Sequence, residues 1–163
     1  MARRDPHSYC DDTQAATESF ALRARVDFAS RTIDGEVTLA FRAPASGPLD
    51  LDTRDLTIEQ VVDAAGQVLA FELHPAEPYL GQRLAIRIAA PTPSITIRYR
   101  TSPEASALQW LAPAQTSGGK LPFLFSQCQA IHARSIVPMQ DTPRLRVRYT
   151  AELGMRVSEQ VTI

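Results

Sequence analysis

Apolar residues recur at every second position in run after run of this chain, and that alternation restricts the fold more than any other feature. Phe20, Leu22, Ala24, Val26 and Phe28 alternate with Ala21, Arg23, Arg25 and Asp27. Val37, Leu39 and Phe41 alternate with Glu36, Thr38 and Arg42, and the turn-prone pair Asp34-Gly35 lies between the two runs. Successive side chains of an extended strand point to opposite faces, so each run makes a strand with one apolar and one wetter face. The pattern continues with Leu49 and Leu51 against Asp50 and Asp52, then Leu56 and Ile58 leading to Val61-Val62. It resumes from Val68 to Leu73 after an Ala65-Gly66-Gln67 turn, in Leu84, Ile86 and Ile88, in Ile95, Ile97 and Tyr99, and in Leu145, Val147 and Tyr149. At least seven strands are expected, with turn residues roughly every 8–12 positions, as in an antiparallel sandwich or open curved sheets. No stretch of about 12 residues carries an i, i+3, i+4 stripe. Twelve Pro against seven Gly suit short strands joined by turns. The expected fold class is all-β.

At 163 residues the chain is long enough for one ordinary domain and too short for two large ones. Residues 1–19 read mostly as loop. From Pro103 to Pro143 the alternation breaks: this segment holds Gly118-Gly119, five of the prolines and the only Trp. It reads as a long structured insertion, with Trp110, flanked by Leu108 and Leu111, as its anchor in the core. Insertions of this kind often carry function.

Lys and Arg number 17 and Asp and Glu 18, a formal charge of −1. That balance argues against nucleic acid and against an anionic membrane as partners, since both reward a cationic surface. No apolar run approaches the length of about 20 residues needed to cross a bilayer. The polar start Met1-Ala2-Arg3-Arg4-Asp5-Pro6-His7 lacks the apolar stretch of a secretory signal. Two cysteines, Cys10 and Cys128, do not make a disulfide framework. A cytoplasmic protein with free thiols is expected.

Motif chemistry is sparse. The three His are followed by Ser8, Pro75 and Ala133, so His-Glu-x-x-His is absent. Ser117-Gly118-Gly119-Lys120-Leu121 lacks the first Gly and the Ser or Thr after Lys that a phosphate loop requires. No Gly-x-Ser-x-Gly elbow exists. Cys128 and His132 form the one nucleophile–base pair worth weighing. On an extended strand they would lie about 13 Å apart, too far for proton transfer, whereas a helical stretch would bring them closer.

The insertion carries the identity. Its blocks Leu108-Gln109-Trp110-Leu111, Gln115-Thr116-Ser117-Gly118, Leu124-Phe125-Ser126-Gln127-Cys128-Gln129-Ala130-Ile131-His132 and Gln140-Asp141-Thr142-Pro143 stand without gaps. Upstream lie Asp5-Pro6-His7-Ser8 and Leu51-Asp52-Thr53-Arg54-Asp55-Leu56-Thr57-Ile58. Together these resemble the N-terminal domain of zinc aminopeptidases of the leukotriene-A4 hydrolase and aminopeptidase B type, over about residues 5–152. The resemblance implies open, saddle-like antiparallel β-sheets that cover one side of a catalytic zinc domain and lend a loop to its cleft. It further implies that the Gln-x-Gln-Ala segment lines the substrate pocket, with Gln129 holding the N-terminal end of a peptide beside Ala130. Gln127 and the Cys128 backbone are the remaining substrate-binding candidates.

A Gln amide offers one acceptor and two donors without adding charge, so it can accept from an ammonium and donate to a carbonyl. Backbone groups around Cys128–Ala130 could pair with an extended peptide. From the residues alone, Gln127 and Gln129 satisfy backbone groups within a loop; with the resemblance, Gln129 becomes a substrate contact and Gln127 stays structural. Asp141 is expected to cap a turn, and Arg134 to meet an acid across a domain boundary. Arg144, Arg146 and Arg148 form either a solvated strand face or a contact to a catalytic domain.

The resemblance has gaps. The family's Gly-x-Met-Glu-Asn segment and zinc ligands are missing here, so no cofactor is expected in this chain and zinc only in the complete enzyme. The match fades after Ala151-Glu152, and Leu153–Ile163 reads as a truncated end with strand character. Two functions follow: the substrate-lining domain of a zinc aminopeptidase, inactive alone, with peptide N-termini and the missing catalytic domain as partners; or a stand-alone β module that binds peptides or another protein chain.

Overall fold

A computed structural model describes residues 5–156. Eight strands form: β1 (Thr17–Asp27), β2 (Thr32–Thr53), β3 (Thr57–Asp63), β4 (Ala70–Leu73), β5 (Gln82–Arg100), β6 (Leu108–Leu111), β7 (Phe123–Ser126) and β8 (Arg148–Arg156). Two short 3-10 turns, Pro113–Gln115 and Ala133–Ser135, are the helical elements among the described residues. Six strands make one open sheet in the order β3-β5-β2-β1-β8, with β4 pairing β5 at one end, and β6 and β7 make a separate hairpin. The all-β expectation holds, and the sheets do not close into a barrel.

The alternation explains the burial. Val37, Leu39, Leu49, Leu51, Leu84, Ile86, Ile88, Ile95, Ile97 and Tyr99 all face one contiguous core cluster. The residues between them face outward; there Arg98 meets Glu36 at 2.8 Å and Arg100 meets Asp34 at 2.5 Å. Strand β2 is 22 residues long and β5 is 19, longer than a twisted strand runs undisturbed. Both bend: their pairing register shifts between Ala40 and Ala45 and again before Gly47. Pro91 and Pro93 of β5 and Gly47 of β2 (φ +80°) stand in this region, where a missing donor and a left-handed backbone are tolerated because the ladder is interrupted.

Asp34-Gly35 does not form the first turn. The chain reverses earlier, over residues 28–31, and Gly35 sits inside β2 opposite Tyr99. A Cβ at Gly35 would lie 2.4 Å from Tyr99 Cζ, so glycine here makes room for an aromatic ring rather than a turn.

The insertion crosses the sheet's apolar face. Leu108, Trp110 and Leu124 of the hairpin pack on Ala24, Val26 and Ile33. Trp110 meets Phe28 edge-on, with ring centroids 5.5 Å apart. Past the hairpin the chain bridges Met139 to Asp52 and then enters β8. Because β5 ends beside the start of β2 and the insertion travels the length of β1, β8 begins next to Ser19 and runs parallel to β1. This pairing departs from the antiparallel expectation, and a long crossover is what a parallel neighbour requires. Strand β8 starts at Arg148, so Leu145 and Val147 precede it. The expected strand character of Val157–Ile163 lies outside the described residues.

Burial pushes the Tyr99 phenol up, and its hydroxyl has no hydrogen-bond partner among the described residues. Overpacking a tight site costs about 1–3 kcal/mol, whereas deleting an unsatisfied buried hydroxyl removes a desolvation penalty. Gly35→Ala should therefore lower stability by about 1–3 kcal/mol in urea titrations, while Tyr99→Phe should leave it unchanged or raise it.

Candidate functional site

The four candidate residues Gln127, Cys128, Gln129 and Ala130 come together in one exposed turn directly after β7. The turn is held at both ends. At its start, the Gln127 N–H donates to the Ala107 carbonyl at 2.9 Å, extending the β6–β7 ladder by one step. At its end, the His132 N–H donates to the Cys128 carbonyl at 2.9 Å. Ser135 Oγ donates to the His132 carbonyl (2.8 Å) and accepts from the buried Ala107 N–H (3.0 Å). The Gln129–Ala130 peptide bond is cis.

The two glutamines differ within this frame. Gln127 Oε1 accepts from the Gln129 N–H at 3.1 Å. The Gln129 side-chain amide makes no hydrogen bond among the described residues and is exposed. Its acceptor and two donors are open to a ligand.

Residues outside the substrate-binding candidates hold the turn in place. His132 Nδ1 lies 2.8 Å from Ser106 Oγ and 3.3 Å from Arg54 Nη1. Arg54 also donates to the Tyr79 carbonyl and to Ser106 Oγ. One guanidinium thus ties the end of β2, the segment before β5 and the start of the insertion to the candidate turn. Arg54, Asp55, Glu77, Tyr79 and His132 line an open depression at its base. The family-like blocks Leu51–Ile58 and Leu124–His132 contain Arg54 and His132, whereas Ser106 stands outside them.

Cysteine catalysis finds no support. Burial and the charge of Asp141 push the Cys128 thiol up, away from thiolate. The His132 nitrogen facing inward is taken by Ser106 and Arg54.

Beneath the site lies a buried ionic cluster. Arg134 has no solvent exposure. Its Nη1 donates to the Leu80 carbonyl (2.7 Å), its Nη2 to the carbonyls of His7 (2.8 Å) and Asp141 (2.9 Å), and its Nε to Asp141 Oδ2 (3.1 Å). Nη1 also lies 3.6 Å from Asp52 Oδ1. Asp52, equally buried, accepts from Ser8 Oγ (2.6 Å), the Tyr9 N–H (2.8 Å) and the Asp141 N–H (2.9 Å). Burial pushes the Asp52 carboxyl above the usual range, against the pull of Arg134 and these donors.

Two expectations change here. Arg134 meets its acids inside the domain and not across a boundary, because residues 133–141 fold back over the end of β2. The Asp141 carboxylate, expected to cap a turn, instead accepts from the Arg134 backbone N–H and from Arg134 Nε. Asp52, which the alternation places on the wet face, is buried among Ser8, Tyr9, Arg134 and Asp141, while its backbone bridges to Met139. Arg144 and Arg148 lie on the exposed side and pair with Asp12 (2.7 Å) and Glu18 (2.6 Å).

Among the described residues no three His, Cys, Asp or Glu side chains lie close enough to hold a metal ion, and no helix is long and apolar enough to cross a membrane.

The site is thus an anchored, glutamine-bearing turn beside an open depression on an open β domain. Residues 16–162 match the Peptidase M1 N-terminal domain, and the chain belongs to that family. It is 37% identical over 158 residues to leukotriene A-4 hydrolase of Xenopus laevis, covering 93% of this chain and 26% of that protein. It is 35% identical over 154 residues to leucine aminopeptidase 2 of Emericella nidulans, covering 90% and 25%. Among solved structures, native leukotriene A4 hydrolase of Saccharomyces cerevisiae superposes with a TM-score of 0.83 at 34% identity, over 94% of this chain and 25% of that one. Yeast leukotriene A4 hydrolase in complex with bestatin gives 0.84 at 32% identity, over 97% and 26%. The chain is thus an N-terminal domain of this hydrolase and aminopeptidase family and spans about a quarter of the length of the relatives it matches.

Removing one partner of a buried ion pair typically costs about 3–5 kcal/mol. Arg134→Met should lower the urea midpoint accordingly, and Arg134→Lys should not restore it, since an ammonium cannot reach four acceptors in a plane. A second expectation concerns Cys10, whose thiol is pushed from the ordinary 9.0 to about 11 by burial and by Asp52 and Asp12. The folded state keeps this proton after the unfolded chain has lost it. The contribution is fully present below pH 9 and falls away as pH rises through 11. Cys10 should react with iodoacetamide more slowly than the exposed Cys128 at pH 8, and Cys10→Ser should flatten the loss of stability above pH 9.

Proposed function

We propose that this chain is the substrate-lining domain of a metallo-aminopeptidase and grips the N-terminal end of a peptide through Gln129. One observation carries the reading: Gln129 presents an unpartnered amide on a turn fixed by Ser106, His132, Arg54 and Ser135. The turn's backbone is held in place, so the open amide is presented at a fixed point of the surface. Its carbonyl would accept from the peptide ammonium and its N–H groups would donate to the first peptide carbonyl. The exposed Cys128–Ala130 backbone would add main-chain contacts. Similarity to yeast leukotriene A4 hydrolase, which binds bestatin, supports a ligand-facing role for this domain.

The zinc that the family resemblance implies has no ligand set among the described residues. No bond-breaking step is assigned to this domain, and its contribution is recognition and orientation. Hydrolysis of the first peptide bond belongs to the complete enzyme.

A second reading, a β module that binds a protein surface, draws on the hairpin's outward face. Phe123 and Phe125 alternate with the inward Leu124 and are 53% and 46% exposed. The two readings differ in what they need from a ligand, since only the first requires a free peptide amine.

The test is binding of short peptides to the purified chain by calorimetry or NMR. A free amine should be required, and N-acetylation should weaken binding. A hydrogen bond to a charged group contributes about 1.5–3 kcal/mol, so Gln129→Ala should weaken binding by roughly tenfold or more and Gln127→Ala by less. Binding indifferent to acetylation and to Gln129→Ala would refute the assignment. With zinc added, the chain alone should show no turnover of amino-acid amides.

A further inference from the structure

The chain enters the sheet along an unpaired segment. Residues 5–14 form neither strand nor helix, and among the described residues no backbone group of the segment bonds to a backbone group outside it. Tyr9 is its one buried apolar side chain and belongs to neither core cluster. A polar seat holds the segment. The Ser8 hydroxyl and the Tyr9 N–H donate to Asp52 (2.6 and 2.8 Å), and the His7 carbonyl accepts from Arg134 (2.8 Å). Thr142 Oγ1 donates to Asp5 Oδ2 at 2.5 Å, and Gln14 exchanges two bonds with Asp50.

The segment has a defined pivot. Buried Gln140 accepts from the Thr17 N–H and hydroxyl (both 2.9 Å) and donates to the Ala15 carbonyl (3.0 Å), so the backbone is clamped where the segment joins β1. Beyond that clamp, the seat reaches the candidate turn by two routes. Arg134 lies in the 3-10 turn whose Ser135 holds the His132 carbonyl and the Ala107 N–H. The Tyr9 hydroxyl lies 3.0 Å from Glu77 Oε1 and 3.3 Å from the Gly81 carbonyl. These two residues close the loop whose Tyr79 carbonyl is held by Arg54, and Arg54 meets His132. The seat is also under tension, since burial pushes the Asp52 carboxyl above the usual range. The seated segment keeps that ion from water, and lifting it lets the carboxylate hydrate.

We propose that residues 5–14 are a strap that lifts and reseats about Gln140 as one unit while the sheet stays folded, and that its seating sets the order of the Gln127–Ala130 turn. A segment fixed by polar contacts, with little apolar burial, belongs to the least stable part of a fold. Lifting it exposes no member of the two core clusters. It does take two of the three hydrogen bonds that Asp52 accepts from Ser8, Tyr9 and Asp141, and one of the carbonyls that Arg134 holds. The 3-10 turn loses part of what fixes it, and the His132 end of the candidate turn loosens with it. Coupling of this kind is reciprocal, so whatever orders the turn favours the seated strap. The strap concerns the order of the turn and holds whether or not Gln129 grips a peptide.

Native-state hydrogen exchange tests this, read by NMR on the 163-residue chain across urea concentrations below the unfolding transition. Exchange through a local opening depends weakly on urea because little surface is exposed, whereas exchange through global unfolding carries the full slope. The Tyr9 N–H on Asp52 and the His132 N–H on the Cys128 carbonyl should share one shallow dependence. The N–H of Ile97, whose strand lies between β2 and β3, should show the steep one. Ser8→Ala removes a hydrogen bond to a carboxylate and should speed exchange at Tyr9 and His132 by the same factor, about tenfold or more. Should that variant fail to fold, Tyr9→Phe, which removes the hydroxyl beside Glu77 and Gly81, should speed both by a common factor. A steep urea dependence at Tyr9, or a His132 amide that keeps a dependence of its own and ignores these variants, overturns the proposal.

Discussion

The architecture depends on one buried guanidinium. Arg134 gathers the carbonyls of His7, Leu80 and Asp141 and the carboxylates of Asp141 and Asp52. Those groups come from the N-terminal segment, the loop before β5, the end of the insertion and the end of β2. These segments lie far apart in the chain, and the cation ties their polar groups together at one point beside the hydrophobic core. A buried ion pair of this kind is weak as a source of net stability compared with an apolar replacement. Its value lies in geometry. Four planar hydrogen bonds specify where each strand of irregular chain must lie, and a misplaced segment would leave a charge buried without a partner.

That geometry is what the candidate site rests on. Residues 133–135 form the 3-10 turn that carries Arg134, and Ser135 in the same turn holds the His132 carbonyl and the Ala107 N–H. The turn at Gln127–Ala130 is thus fastened to the most constrained point of the molecule while its own side chains stay in solvent. A second arginine, Arg54, fastens it from the other side through His132 and Ser106. Recognition by Gln129 would exploit this arrangement, since an anchored backbone turn presents the open amide at one place and need not order itself on binding.

The strands were legible because period two is a local property. Val37, Leu39, Leu84, Ile95 and Ile97 are buried where the alternation puts them. Asp52 shows where that logic stops. Its position in the alternation is the wet one, and its carboxylate is buried among Ser8, Tyr9, Arg134 and Asp141, all far from it in the chain. Gly35 shows the same limit. A turn-prone Asp-Gly pair marks a tight reversal on local grounds, whereas the Tyr99 ring across β5 requires a glycine inside the strand. The Gln127–Ala130 cluster was found through resemblance, because a short exposed polar segment has no periodicity to read.

The sequence by itself determined an all-β chain, the members of its core rows and the segment that carries its family identity. Each of these follows from neighbours a few positions apart or from contiguous blocks of residues. Only the tertiary structure decided that Arg134 finds Asp52 and Asp141 within the domain, that β8 runs parallel to β1, and that Gln129 rather than Gln127 keeps a free amide. These outcomes turn on contacts between segments far apart in the chain, and their partners are set by how the insertion crosses the sheet.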